Sequence, residues 1–276
     1  MIYGGWGIGD GGWGEGVIDI LTAAHCPLPT AMKRLMRLFI YRPPDAEGFW
    51  RARAADPGWF SVMWANPAYN ELAHRDQWNA IERNLPARRD AALDLGCGTG
   101  RLSERLAGLF NRYVGVDLDT MVAEARRRNP ALEAEFVSAS AQDYDYPADS
   151  FDMVLSMACL ASACRADEFP RVAQRIVSTT RAGGKIILID PFHRFPALVR
   201  TCRLSAKEVI EIFTTLGATL DEWSAIHFIP SRLVFARRQF ARFQRLTRAG
   251  YLAGEAICRL APRRLGDYQV IALTKK

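Results

Sequence analysis

A doubly wound α/β fold built on a seven-stranded, mostly parallel sheet is the architecture this sequence predicts. Three observations carry it. After Pro86 short apolar runs alternate with helix-like stretches. The first run, Leu93-Asp94-Leu95, ends in the glycine-rich turn Gly96-Cys97-Gly98-Thr99-Gly100. The next run ends in an acid, Asp117, about 20 residues beyond that turn.

Strands are expected over 91–95, 113–117, 134–137, 151–156, 185–190, 219–228 and 268–274, with helices over 101–110, 121–129, 167–180 and 205–216 between them. Ser205 with Glu208 three residues on predicts a capping box, and Gly217 a stop. Ahead of the sheet, 65–85 reads as a helix started by Asn66 and Pro67. Residues 1–30 read as a flexible Gly-rich tail and 31–85 as an N-terminal helical cap. Within that cap, 32–42 reads as a short basic amphipathic helix closed by Pro43 and Pro44. The main domain is expected over 86–276, with an insert of one or two basic amphipathic helices over 231–266.

Composition narrows the class. A 276-residue chain that is 49% hydrophobic and 24% charged can bury a sizeable core, so wholesale disorder is not indicated. The six cysteines form no C-x-x-C pair and no Cys/His cluster at zinc spacing, which points to a reducing cytoplasm and to neither a metal centre nor a disulfide framework. No apolar run approaches the roughly 20 residues of a bilayer span, and a secretory leader is not expected. The net charge of +6 is concentrated beyond Pro230, where arginines far outnumber Glu255 and Asp267. Such a stripe suits an anionic partner or a solvated helix face.

The chemistry resides in the turn and the acid. Glycines there let a ligand approach the backbone, the start of the following helix leaves N–H groups for a carboxylate, and an acid ending the next strand can accept from two ribose hydroxyls. A dinucleotide site would need its third glycine one residue later, where Arg101 stands. A phosphate-loop NTPase is excluded because no Gly-Lys-Ser/Thr follows. Leu21-Thr22-Ala23-Ala24-His25-Cys26 looks like a serine-protease histidine segment, but no matching serine motif accompanies it.

With these motifs the sequence resembles the class I S-adenosylmethionine-dependent methyltransferases, in particular those acting on small molecules, quinones and lipids. The likeness covers about 65–228 and the last strand. It implies a Rossmann-like sheet with an antiparallel seventh strand and S-adenosylmethionine as cofactor. It further implies that Asp94, Gly96, Gly98 and Gly100 hold the methionine moiety, Asp117 the ribose and Leu118 one adenine face. Ser140 and Ala141 fall where the family reads the adenine edge, Ser140 replacing the usual Asp. Ser156, Met157 and Ala158 would line the pocket near the sulfonium, and the helix with Tyr69 and Arg75 would form the lid.

His193 and His227, near the ends of the fifth and sixth strands, are the candidate bases for a hydroxyl acceptor. A hydrophobic small molecule (quinone, polyketide-like or lipid) is the expected acceptor, with the basic segments making peripheral contact with anionic membrane. The nucleic-acid signatures of such enzymes are missing after the fourth strand, which reads Ser156-Met157-Ala158-Cys159. A non-catalytic cofactor-binding partner or sensor, and an RNA-directed methyltransferase, stay open as alternatives.

Overall fold

The computed structural model describes residues 46–276 apart from 57, 195–198, 200 and 261. The tail expected over 1–30 and the basic helix expected over 32–42 lie outside the described residues. In chain order the elements are α1 (Ala46–Arg53), α2 (Pro67–Glu82), β1 (Ala91–Leu95), α3 (Ser103–Ala107), β2 (Arg112–Asp117), α4 (Asp119–Arg128), β3 (Glu135–Ser138), β4 (Phe151–Met157) and α5 (Leu160–Ala163). There follow α6 (Phe169–Thr179), β5 (Thr180–Asp190), α7 (Ala206–Thr215), β6 (Ala218–Phe228), α8 (Ile229–Phe235), α9 (Gln244–Leu260) and β7 (Gly266–Lys275).

The seven strands form one sheet in the order β3-β2-β1-β4-β5-β7-β6. The first five pair in parallel, and β7 runs antiparallel between β5 and β6. Every residue of β1 is buried, because helices cover both sheet faces; four of its five residues are apolar, and the fifth, Asp94, is satisfied by Tyr113. Alternate residues feed two cores, with Leu93, Leu95, Ile186 and Leu188 in one and Ala92, Leu155, Ile187 and Ile189 in the other. Strand order reverses between β1 and β4, so the crevice beyond their carboxyl ends is where such a sheet holds ligands.

Local signals were read correctly where a side chain satisfies a helix end. Asn66 accepts from the Ala68 amide at the start of α2, and Ser205 and Glu208 form the reciprocal capping box of α7. Several lengths differ from expectation, two of them for a visible local reason. Helix α3 is confined to Ser103–Ala107, because the glycine turn continues to Leu102 and Gly108 closes the other end. Strand β5 starts at Thr180 rather than 185: Thr180 pairs with Phe151 before a register shift that Gly183, at φ +73°, accommodates.

The insert folds as α8 and α9, which pack on each other, on β6 and, through α9, on α2. Close approach is possible because α9 carries glycines at the contact; a Cβ on Gly254 would lie 2.6 Å from Ser231 Cβ. Among the described residues no helix is long and apolar enough to cross a membrane. Gly254→Ala is expected to destabilise the fold by about 1–3 kcal/mol through overpacking. A melting temperature unchanged by that substitution, measured by calorimetry, would show that the α8–α9 contact is not tight.

Candidate functional site

The chain leaves β1 on a path only glycine follows easily. Gly96, Gly98 and Gly100 take φ of +82°, +57° and +80°. Each is also closed to a side chain by a different neighbour: a Cβ at Gly96 would lie 2.3 Å from Cys159 Cβ, at Gly98 2.8 Å from Val62 Cγ1, and at Gly100 2.5 Å from Asn129 Nδ2. The Gly96 and Cys97 amides donate to the Val116 carbonyl at 2.8 and 3.2 Å. Asp117 ties the turn to β2, its Oδ2 accepting from the Gly98 amide and its Oδ1 from the Leu118 amide, both at 2.7 Å. Burial pushes the Asp117 carboxyl above its ordinary range, and these two amides oppose that rise.

These groups border a cavity of about 540 Å³ at the switch point. Gly96, Gly98, Asp117 and Leu118 form one wall, residues 138–143 a second, and Met157, Ala158 and Cys159 a third. Ala158 sits at φ +57°, a conformation in which a non-glycine residue is strained, at the rim where β4 ends. The roof is α1, contributing Glu47, Trp50 and Arg51, together with Val62. Arg51 fastens α1 across the mouth by pairing with Asp119 at the start of α4 and with Glu47 on its own helix.

Of the expected cofactor residues, the structure brings Gly96, Gly98, Asp117, Leu118, Ser140 and Ala141 to this cavity. Asp94, Gly100 and Ser156 are not on its wall. Asp94 is buried beneath it and accepts from Tyr113 Oη at 3.0 Å, Gly100 packs toward the end of α4, and Ser156 Oγ donates to Asp190 at 3.1 Å. Within the turn the amides of Gly100 and Ser103 donate to the carbonyls of Cys97 and Gly100 at 3.1 and 3.2 Å. The expected lid is corrected as well. Tyr69 of α2 is fully buried against Trp64 and Tyr251, and Arg75 points outward to Asp76, whereas α1 covers the cavity. Among the described residues, none of the insert lines it.

Two wall residues escaped sequence reasoning although their signals were present. Asp143 follows Ser140 by three residues, which is the spacing of a side-chain turn; Ser140 Oγ donates to Asp143 Oδ2 at 2.6 Å. Trp50 stands in the aromatic run Phe49-Trp50 beside the paired Arg51, the composition of a covering helix.

The histidines lie elsewhere. His193 is buried with Nε2 3.0 Å from the Asp267 carbonyl. His227 is fully buried at φ +62° in a polar chain that passes beneath α2 and α9. Arg101 Nη2 donates to Gln77 Oε1 at 3.0 Å, Gln77 Nε2 stands 3.1 Å from His227 Nε2, His227 Nδ1 stands 3.3 Å from Tyr251 Oη, and Tyr251 donates to Asp76 at 2.8 Å. Only one proton arrangement serves every link. Tyr251 gives its proton to Asp76 and accepts from Nδ1–H, leaving the Nε2 lone pair to the Gln77 amide, so His227 is the neutral Nδ1–H tautomer. Burial accordingly pushes its pKa down to about 4. His74, which accepts from Arg101 at Nδ1, is also lowered to about 4, by burial and then by Arg101. Arg101 in turn touches Met157 Sδ at 3.6 Å, linking the chain to the cavity wall.

Comparison with known proteins assigns residues 92–184 to a family described as a methyltransferase domain. The chain is 33% identical over 106 residues to a fatty-acid O-methyltransferase of Mycolicibacterium smegmatis, covering 37% of this chain and 38% of that one. It is 28% identical over 126 residues to a ubiquinone biosynthesis O-methyltransferase of Agrobacterium fabrum, covering 43% and 49%. It thus spans less than half the length of either relative. In fold it is similar to the N-methyltransferase NodS of Bradyrhizobium japonicum, solved with S-adenosyl-L-homocysteine. The TM-score there is 0.57 at 15% identity, over 83% of this chain and 98% of that one.

The neutral state of His227 has a measurable consequence. Its folded pKa of about 4 lies below the ordinary 6.5, so the unfolded chain binds the extra proton and His227's contribution is lost as pH falls from 6.5 toward 4. Asp94 and Asp190, raised by burial to about 7 and about 8, act with the opposite sign over the same range and mask this in the wild-type curve. The test is therefore a difference. The destabilisation caused by His227→Gln is expected to be largest at pH 7 and to shrink by on the order of 2 kcal/mol at pH 5. A pH-independent difference in urea unfolding would mean that His227 is not held neutral.

Proposed function

For a chain that carries, through residues 92–184, a methyltransferase domain of the class I S-adenosylmethionine-dependent family, we propose transfer of a methyl group from S-adenosylmethionine to an oxygen nucleophile of a hydrophobic small molecule. The observation that carries this reading is the convergence of Gly96, Gly98, Asp117, Leu118 and residues 138–143 on one roofed cavity at the switch point.

The residues present fit that cofactor. Gly96 and Gly98 leave bare backbone where any side chain would collide, and about 540 Å³ falls within the range of small-molecule pockets. Asp117, with two carboxylate oxygens that each accept more than one bond, is suited to vicinal hydroxyls. Leu118 offers an apolar face for a flat ring. Asp143, positioned by Ser140, is the acid available to an exocyclic amine, taking the part that Ser140 itself lacks the charge to play.

When bound, S-adenosylmethionine supplies an electrophilic methyl group on a sulfonium centre. What remains for the protein is alignment and exclusion of water, since displacement at carbon gains most of its acceleration from holding the reactants in line in a dry site. Trp50 and Val62 close the roof, and Met157, braced by Arg101, stands at the wall between the cavity and the buried polar chain. Neither candidate histidine borders the cavity, so proton removal in this reading is left to the acceptor's own acidity or to solvent. A carboxylic acid or an acidic phenol meets that condition, and the names of the fatty-acid and ubiquinone-biosynthesis relatives support an apolar acceptor of this kind.

Asp117→Ala is expected to weaken S-adenosylmethionine binding at least about tenfold by calorimetry, and Asp143→Ala several-fold. Wild-type affinity in both variants would remove this assignment of the cavity. Formation of S-adenosylhomocysteine with a panel of fatty acids and phenols tests turnover; tight binding without product across the panel would favour a cofactor-binding partner instead. In single-turnover reactions His193→Gln and His227→Gln are expected to stay within about tenfold of wild type, whereas a loss of a hundredfold or more would restore that residue as a base.

A further inference from the structure

Among the described residues only one face of helix α9 is covered. Thr247, Tyr251, Gly254, Glu255 and Cys258 are buried against the domain. On the opposite side Leu246, Leu252, Ala253, Ala256, Ile257 and Leu260 are all exposed. Their spacing from Leu246 is 6, 7, 10, 11 and 14 residues, which places them in one stripe along a helix. Exposure of Leu246, Leu252 and Ile257 is 52%, 52% and 49%, and that of Leu260 reaches 91%. Isolated exposed leucines are ordinary; a continuous stripe of them marks a surface that meets something.

The charge around the stripe selects the occupant. From Ile229 to Leu265 the chain has nine arginines and a single acid, Glu255, which is buried and binds the amides of His227 and Phe228. Arg245, Arg248 and Arg259 border the stripe on one side, Arg242 precedes it stacked on the half-exposed Phe243, and Arg263 and Arg264 follow. Of these, Arg248 meets an acid, the exposed Glu71 of α2, at 3.3 Å. A second copy of the chain would bring like-charged borders together. A nucleic acid would match the arginines and leave the leucines wet. An anionic bilayer satisfies both, taking the stripe at the level of the acyl boundary while the arginines reach the headgroups.

We propose that the outer face of α9, with Phe243 at its start and Arg263 and Arg264 beyond its end, is a docking surface for anionic lipid bilayers. The helix lies flat on the membrane rather than crossing it. This does not depend on methyl transfer, because no residue of the face borders the cavity. It also gives α9 a second task distinct from its packing on α2 and β6.

Co-sedimentation of the full chain with vesicles tests it, using phosphatidylcholine alone and phosphatidylcholine with one third phosphatidylglycerol. Wild type is expected to bind the anionic vesicles and to be released by high salt. Leu252→Asp with Ile257→Asp, and separately Arg245→Gln with Arg259→Gln, are each expected to weaken binding at least about tenfold. All four substituted side chains are exposed, so an unchanged melting temperature confirms that the fold is intact, and S-adenosylmethionine binding is expected to be unaffected. Wild type that binds no better than to neutral vesicles overturns the proposal, as do apolar-face variants that bind like wild type. So does a dimer by analytical ultracentrifugation that the Leu252→Asp variant dissolves, or retention on RNA without retention on vesicles.

Discussion

The structure turns on a stretch of five residues that three separate parts of the chain press against. Gly96, Gly98 and Gly100 share positive φ, but what blocks a side chain at each is different: the loop after β4 at Cys159, the roof at Val62, and the end of α4 at Asn129. The turn therefore acts as the common seat for the roof, for the second wall and for α4. Asp117 fixes its height by holding the Gly98 amide, and so joins the end of β2 to the floor of the cavity. A substitution at any of the three glycines would combine backbone strain with a collision, and the collision would displace a different element each time. Cavity, roof and sheet edge are consequences of one turn.

Beside this cavity runs a buried polar chain in which protons and lone pairs alternate from Arg101 to Asp76. It carries one cation at its head and one carboxylate at its foot, with the neutral groups Gln77, His227 and Tyr251 between them. Such a chain is worth burying only if its members are partnered, and here each link joins a donor to an acceptor. That explains why His227 tolerates φ +62°: the amides of His227 and Phe228 are both held by Glu255 from α9, which fixes the backbone in the unusual conformation. The insert thus braces the end of β6 and reaches the cavity only indirectly, through His227, Gln77, Arg101 and Met157.

What could be read from the sequence follows from which interactions are local. The central strands are legible because burial on both faces makes them mostly apolar, and the caps of α2 and α7 because donor and acceptor lie within three residues. Gly96, Gly98 and Asp117 were legible as a pair of motifs with a fixed spacing. Asp94 and Ser156 lie on strands ending at the site, but Tyr113 and Asp190 engage their side chains off the cavity wall, contacts between distant residues that sequence spacing does not display. The resemblance implies a lid at the helix with Tyr69 and Arg75, yet Tyr69 faces Tyr251 of α9, some 180 residues away, and periodicity cannot say which neighbour an apolar stripe will meet.

The same limit applies to α9, with a different outcome. Its sequence shows a basic amphipathic pattern, which in an isolated reading fits either a helix packed on a core or one lying between two surroundings. Burial separates the possibilities. The face with Tyr251, Gly254 and Cys258 has glycine at its contacts and two polar anchors, Thr247 and Glu255, for close packing on a protein, whereas the face with Leu246, Leu252, Ile257 and Leu260 has no such anchor. Side chains on that outer face are of the kind that insert into a yielding medium rather than into a shaped groove, and arginines stand where their stems can cover apolar surface while the guanidinium groups stay wet. A helix that packs by shape on one side and by composition on the other is placed between a protein and a fluid interface, and the arginines give that interface its sign.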